Sequence, residues 1–112
     1  MSILDELRDE TRRFSEDRGW ILFHTPKNVA MAIAGEAGEL AALFQWLTPE
    51  ESYLVDGYED ERIAVQHEMA DVLIYLLRLS DVLDVDLAGA VRAKLAINES
   101  RFPATEHREH LD

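Results

Sequence analysis

The chain has 112 residues, of which 47% are hydrophobic and 30% are charged, and it contains no cysteine. Its 11 basic and 23 acidic residues give a formal net charge of −12, which repels nucleic-acid backbones and anionic membranes. The absence of cysteine excludes disulfides, thiol nucleophiles and cysteine-ligated metal centres. We therefore expect neither a nucleic acid nor a membrane as partner, and we expect any phosphate group to arrive with a cation.

No linker, low-complexity tract or internal repeat interrupts the sequence, which predicts one domain over residues 1–103 and a polar tail over residues 104–112. A chain of this length buries a modest fraction of its surface, so we expect self-association to complete its core. The sequence has no signal-peptide pattern and no apolar run long enough to span a bilayer, which predicts a cytoplasmic protein.

The first half of the chain contains the start signals of two helices. Ser2 is a typical N-cap residue, and the apolar spacing after it predicts a first helix that continues toward Arg18. An apolar connection follows. Thr25 and Pro26 then supply a hydroxyl N-cap and a proline at the first helical position, which predicts a second helix running to about Leu47.

The second half of the chain contains two further helices after an acidic connection. Residues 48 to about 58 form this connection, which has room for one short helical turn. A third helix is predicted from about Glu59 to Leu83, and a fourth from its cap at Asp86 to about Ser100. No segment alternates as a strand does, so the predicted fold is all-α, a four-helix bundle with the second and third helices at its centre.

Two pairs of acids lie in the most apolar helices. Glu36 and Glu39 are three positions apart, which places both on one helical face, and Glu68 and Asp71 repeat the spacing. Like charges at this spacing destabilise a helix, and burying a carboxylate costs on the order of several kcal/mol unless it is protonated, paired or bound to metal. If the two helices face each other, the four carboxylates converge on one site. Oxygen ligands alone suit Mg²⁺, with Mn²⁺ as a substitute.

Two other interpretations of these acids stay open. In a non-catalytic helical interaction module the acids would simply face solvent. A di-iron carboxylate bundle protein would carry Glu-x-x-His on two helices, whereas here the i+3 positions carry Glu39 and Asp71. Gly35 and Gly38 indicate that something approaches the second helix closely, because each costs about 1 kcal/mol relative to alanine, and a ligand or a neighbouring helix would explain them equally well.

Three aromatic residues are candidates for stacking on a nucleobase. Trp46 follows Glu39 by seven positions, on the same stripe of the predicted helix, and Tyr75 follows Asp71 by four. Trp20 lies in the connection before the second helix. Aromatic faces at this distance from a bound phosphate suit a base, although ordinary core packing is the alternative for all three.

A second set of candidates is polar. Lys94, Asn98 and Arg101 form a stripe of net positive charge on the fourth helix, suited to phosphate oxygens or to departing pyrophosphate, unless it is a plain surface stripe. His24 lies at the start of the second helix, where it would meet an anion or cap the helix.

Four blocks of the sequence, in this order, resemble the MazG-like all-α nucleoside triphosphate pyrophosphatases and above all their dCTP pyrophosphatase branch. The blocks are FHTPKN at 23–28, GEAGELAALFQW at 35–46, EMADVLIY at 68–75 and KLAINESRFP at 94–103. The resemblance implies Mg²⁺-dependent hydrolysis of a nucleoside triphosphate, dCTP or a related or modified deoxynucleotide, to the monophosphate and pyrophosphate. It also implies a homo-oligomer, a dimer or a tetramer built as a dimer of dimers, with sites formed between subunits.

The resemblance also implies roles for individual residues. The metal ligands would be Glu36, Glu39, Glu68 and Asp71, and we expect Glu36 or Glu39 to orient the attacking water as well. Trp20, Trp46 and Tyr75 would lie around the base, with Lys94 and Asn98 near the phosphates. Two positions depart from the pattern: Thr11 stands where dCTP-directed relatives carry histidine, and His67 stands where an acid often precedes the third metal carboxylate.

Overall fold

The structure is a computed structural model that describes residues 2–53 and 58–104. These residues form helices and connections without a strand, which confirms the all-α prediction. The helices are α1 (Ile3–Asp17), α2 (Pro26–Ala42), α3 (Pro49–Ser52), α4 (Glu59–Val82) and α5 (Leu87–Arg101), with a 3₁₀ turn at Ile21–Phe23. None of these helices combines the length and the apolarity needed to cross a bilayer. Apart from Ala104, the predicted tail lies outside the described residues, as does part of the connection between α3 and α4.

Short polar side chains fix where the helices begin. The oxygens of Ser2, Thr25 and Asp86 each accept a hydrogen bond from the backbone N–H three residues on, at 3.1–3.2 Å. At Ser2 the bond is reciprocal, because the Asp5 carboxylate accepts from the Ser2 backbone N–H. Each cap satisfies a backbone donor that the first helical turn leaves without a partner. The predicted starts of α1, α2 and α5 are therefore confirmed.

The predicted end of the second helix was wrong. Helix α2 ends at Ala42 and not at Leu47. Backbone N–H groups that follow Ala42 donate to carbonyl oxygens three residues back, at 3.0–3.2 Å, which is the pattern of tight turns. Pro49 then disfavours helical backbone at the residue before it and starts α3. Trp46 consequently does not share a helical stripe with Glu39.

Helix α4 is the centre of the fold, since α2 and α1 both pack on it. Arg78, near the end of α4, donates to His24, which lies just before α2. Glu36 in the middle of α2 lies beside Glu68, which precedes Arg78 by ten positions in α4. Moving forward along α2 therefore means moving backward along α4, so the two helices are antiparallel. This arrangement brings the two acid-bearing faces together.

One copy of the chain encloses little apolar surface. Among the described residues, Val29 and Leu77 are the only apolar side chains that are fully buried. Large apolar side chains on several elements are more than half exposed, among them Leu22, Met31 and Leu95. Helix α5 forms no interface with another described helix comparable to those of α2 and α1 on α4.

Candidate active site

Three of the four predicted acids meet between α2 and α4. Carboxylate oxygens of Glu36, Glu39 and Glu68 lie within 4.8 Å of one another. Glu36 and Glu39 share a face of α2 because they are one turn apart, and α4 supplies Glu68 from the opposite side. We call these three residues the acid cluster. Glu39 is exposed, whereas Glu36 and Glu68 are partly buried.

The acid cluster leaves two buried oxygens without a partner. Glu36 Oε2 and Glu68 Oε2 are inaccessible to solvent and accept no hydrogen bond from the described residues. Three arginines, Arg8, Arg12 and Arg78, form their ion pairs with aspartates outside the cluster. A buried carboxylate oxygen without a donor is unfavourable, and a divalent cation relieves this cost directly. The donor set therefore fits a hard metal ion.

The electrostatics of the cluster agree with this fit. Burial, together with the neighbouring acids Glu39 and Glu68, raises the pKa of Glu36 from its usual value to about 7. Burial is also the main cause of the raised pKa of Glu68. Without a cation the cluster therefore retains protons that a metal would displace.

Asp71, the fourth predicted ligand, lies close to the acid cluster but outside it. Its charge contributes to the raised pKa values of Glu36 and Glu68, so it lies near both. Its direct coordination of the metal stays a prediction. His67 is exposed and does not belong to the cluster, which contains carboxylates alone.

A cavity of about 420 Å³ adjoins the acid cluster, with Glu36 on its wall. The volume lies in the range of small-molecule sites. Helices α1, α2 and α4 and the connection before α2 all contribute to it. The lining residues are Glu10, Thr11, Phe14, Ser15, Trp20, His24, Glu36, Asp71, Ile74, Tyr75 and Arg78.

Aromatic rings form much of the cavity wall. Trp20 contacts Phe14 edge to face, with ring centroids 5.7 Å apart, and His24 meets Tyr75 in the same manner at 6.5 Å. Three of the predicted substrate-binding residues, Trp20, His24 and Tyr75, thus share one cavity. Their apolar faces suit a flat heterocycle.

The other predicted substrate-binding residues lie away from this cavity. Trp46 is 87% exposed in the turns after α2. Lys94 and Asn98 line a separate pocket along α5, and the Arg101 guanidinium lies over the neighbouring ring of Phe102, 5.3 Å from its centroid. Within one chain, the stripe on α5 therefore does not contribute to the wall around the acid cluster.

The two glycines of α2 face open space. Beyond its chain neighbours and the backbone of its own helix, a β-carbon added at Gly35 or at Gly38 would meet no atom of the described chain within 4 Å. The close approach that these glycines predict is therefore not made by another described segment of the same chain. The face of α2 that carries them is open to a ligand or to another molecule.

Sequence reasoning missed a partly buried network of charges beside the cavity. Arg78 is 1% exposed, donates through Nη1 to Asp81 at 2.7 Å and donates through Nε to His24 Nδ1 at 3.1 Å. Arg12 of α1 forms an ion pair with Asp81 and donates hydrogen bonds to both of its carboxylate oxygens. Hydrogen bonding from Arg12 is the main cause of the lowered Asp81 pKa. The sequence signal was an arginine within the apolar run LIYLLRLS, followed by an acid three positions later.

No protein-family model matches the sequence. A solved pyrophosphatase from Archaeoglobus fulgidus matches both the sequence and the fold. The two chains are 40% identical and superpose with a TM-score of 0.82, over 92% of this chain and 94% of the other. This chain belongs to the MazG-like all-α pyrophosphatase family.

Curated relatives of this MazG-like chain are named for deoxynucleotides. Human dCTP pyrophosphatase 1 is 45% identical over 101 residues, which cover 90% of this chain and 59% of the human protein. The rat protein of the same name is 42% identical over 100 residues, which cover 89% of this chain and 59% of the rat protein. A dATP/dGTP diphosphohydrolase of cyanophage S-2L is 59% identical over 34 residues, which span 30% of this chain and 32% of the phage protein.

The MazG-like chain thus spans about three fifths of the length of the mammalian relatives that it matches. The pyrophosphatase family implies a divalent metal ion, and the acid cluster offers a group of ligands able to bind one.

Proposed function

We propose that this MazG-like chain hydrolyses a deoxynucleoside triphosphate to the monophosphate and pyrophosphate. The observation that carries the proposal is the pair of buried, unpartnered oxygens of Glu36 and Glu68 beside an aromatic cavity. The names of the relatives indicate deoxynucleotides with different bases, so the proposed substrate is dCTP or a related or modified deoxynucleotide.

The acid cluster would hold Mg²⁺, with Mn²⁺ as a substitute, because all of its donors are carboxylate oxygens. Asp71 is the candidate for a fourth ligand. A bound divalent ion supplies charge neutralisation to the triphosphate, which is the main requirement of phosphoryl transfer. The carboxylates would be fully ionised in this state, since binding a metal displaces their protons.

Glu36 belongs to the acid cluster and also lines the cavity, so its position sets the orientation of a bound nucleotide. Phosphates at the acid cluster place the base in the cavity, against Trp20 and Tyr75. The water attacks the α-phosphorus in line with the departing pyrophosphate. The carboxylate of Glu36 or Glu39 orients this water and accepts its proton.

The proposed assembly is a homo-oligomer, a tetramer formed as a dimer of dimers or a single dimer. Two observations support it: the described chain buries only two apolar side chains fully, and the stripe of Lys94, Asn98 and Arg101 lies outside the cavity of its own chain. In the assembly this stripe would reach the phosphates at a neighbouring subunit. A cytoplasmic location stays a prediction from the sequence.

The test is turnover in H₂¹⁸O with Mg²⁺ and a panel of canonical and modified deoxynucleoside triphosphates. Attack at the α-phosphorus places the label in the monophosphate, whereas attack at the β-phosphorus places it in the pyrophosphate. Release of inorganic phosphate alone would contradict the proposal. Calorimetry without metal-dependent nucleotide binding would favour the helical interaction module, and bound iron with its absorption band would favour a di-iron protein.

A further inference from the structure

Arg78 borders the cavity, yet the proposed hydrolysis assigns it no role. Its side chain is almost completely buried, and its Nε–H donates to Nδ1 of His24. A guanidinium group has donors and no acceptor, so His24 Nδ1 must be the acceptor in this bond. In a neutral imidazole the proton then resides on Nε2. The hydrogen bond from Arg78 therefore determines the tautomer of His24.

The neutral form of His24 follows from its surroundings. Burial lowers the pKa of His24, and the positive charge of Arg78 lowers it further. The other titratable groups on the cavity wall are Glu10, Glu36, Asp71 and Tyr75. Nε2 of His24 has no hydrogen-bond partner within residues 2–53 and 58–104. It is therefore available to a bound molecule.

Arg78 is itself held from two helices. Asp81, one turn later in α4, accepts a hydrogen bond from Arg78 Nη1. Arg12 of α1 donates hydrogen bonds to the same carboxylate. Hydrogen bonds between charged groups are about twice as strong as neutral ones, and a connected, partly buried set of them restricts the side chains that it joins. The orientation of the guanidinium toward His24 is therefore set before any ligand binds.

We propose that Arg78 is a positioning residue that holds His24 as a neutral Nε2–H donor for an acceptor on the substrate base. This inference rests on the proposed function for its ligand. The acceptor is a carbonyl oxygen or an unprotonated ring nitrogen of the nucleobase, since the phosphates would lie at the acid cluster and not beside His24. A fixed donor beside the aromatic rings of the cavity gives the base a preferred orientation.

The first test needs neither a variant nor a substrate. Two-bond ¹H–¹⁵N correlation spectra of ¹⁵N-histidine-labelled protein at neutral pH distinguish the two imidazole tautomers. We expect His24 to be in the Nε2–H form, with no protonation down to a pH below the ordinary histidine pKa of about 6.5. A predominant Nδ1–H form, or an imidazolium at neutral pH, would overturn the proposal.

The second test compares two arginine variants of one network. Arg78→Met removes the donor to His24, and we expect a mixture of tautomers. Arg12→Met removes the other arginine at Asp81 without touching His24, and we expect the Nε2–H form to persist. Arg78→Lys should restore part of the Nε2–H population because an ammonium can only donate. Identical His24 spectra in the wild type and in Arg78→Met would refute the role of Arg78.

The third test uses the substrate. For the preferred triphosphate we expect Arg78→Met to raise KM about tenfold, equivalent to about one hydrogen bond, with little change in kcat. Arg8→Met, at an arginine whose ion pairs with Asp5 and Asp9 lie outside this network, should keep the wild-type KM. An unchanged KM in Arg78→Met would contradict the use of His24 as a donor. If no triphosphate is hydrolysed at all, the proposed function fails, whereas the tautomer spectra still decide whether Arg78 positions His24.

Discussion

Glu36 and Glu68 face each other across two antiparallel helices, and each buries one carboxylate oxygen that no described group satisfies. Removing the charge of either residue should therefore abolish metal binding while leaving the fold intact. We expect Glu68→Gln to lower Mg²⁺-dependent turnover at least about a hundredfold. Metal-free protein should keep its melting temperature or gain slightly, because a buried charge has been removed.

The control for this variant is Glu61→Gln, at an exposed position two turns earlier in the same helix. It makes the same change of net charge without touching the acid cluster, so turnover and Mg²⁺ affinity should match the wild type. Circular dichroism and a thermal melt of both variants separate loss of the site from loss of the fold. Full activity in Glu68→Gln would exclude the assigned site.

The acid cluster predicts an unusual dependence of stability on pH. The pKa of Glu36 is raised to about 7 and that of Glu68 is also raised, so the folded protein holds more protons than the unfolded chain between about pH 4.5 and 7. Stability from these residues is present below this window and is lost as the pH rises through it. Metal-free protein in EDTA should therefore have a lower melting temperature at pH 7.5 than at pH 5.

Added Mg²⁺ should reverse this trend, because the ion binds the ionised carboxylates of the folded state alone. At pH 7.5 the melting temperature should rise with Mg²⁺ concentration, and at pH 5 the rise should be smaller. Differential scanning calorimetry at both pH values, with and without metal, measures the effect. Glu6→Gln, at an exposed position in the first turn of α1, is a matched control that should leave both trends unchanged.

Asp71 is the predicted metal ligand that lies outside the acid cluster. It lies on the cavity wall near the acid cluster, but its oxygens are not among those gathered within 4.8 Å. We expect Asp71→Asn to abolish pyrophosphate release but to weaken Mg²⁺ binding less than Glu68→Gln does. Calorimetric titration of Mg²⁺ into both variants makes the comparison. Equal loss of affinity would instead identify Asp71 as a direct ligand in the absence of nucleotide.

Local signals made the helix starts predictable, because a cap is a contact between residues three positions apart. The same is true of Glu36 and Glu39, whose shared face follows from helical spacing. The ion pair of Arg12 with Asp81 joins residues 69 positions apart, and no local pattern indicates it. The end of α2 was missed because the tight turns after it carry ordinary helix-forming residues, and so Trp46 was expected on the wrong stripe.

Trp20 is the cavity aromatic whose removal should affect substrate binding most. Base stacking on an aromatic side chain contributes about 1–3 kcal/mol, so Trp20→Ala should raise KM about tenfold or more while kcat changes little. Phe14 would keep part of the wall. Tyr53→Ala is the comparison variant, because this aromatic residue is 82% exposed and does not line the cavity, so KM should stay at the wild-type value. A KM that stays unchanged in Trp20→Ala would contradict placement of the base in the cavity.

Leu95 tests whether α5 is covered by a second copy. Its side chain is 60% exposed in one chain and lies between Lys94 and Asn98 along the pocket of α5. If α5 packs on a neighbouring subunit, Leu95→Gln replaces a buried apolar contact of about 1.5–3 kcal/mol by a polar group and should shift the assembly toward smaller species. Sedimentation velocity over a range of concentrations measures the shift, and Glu99→Gln, an exposed polar position on the same helix, should leave it unchanged. An unaltered assembly in Leu95→Gln would place the subunit interface elsewhere. Lys94 would then be too far from the neighbouring subunit to contact a triphosphate bound there.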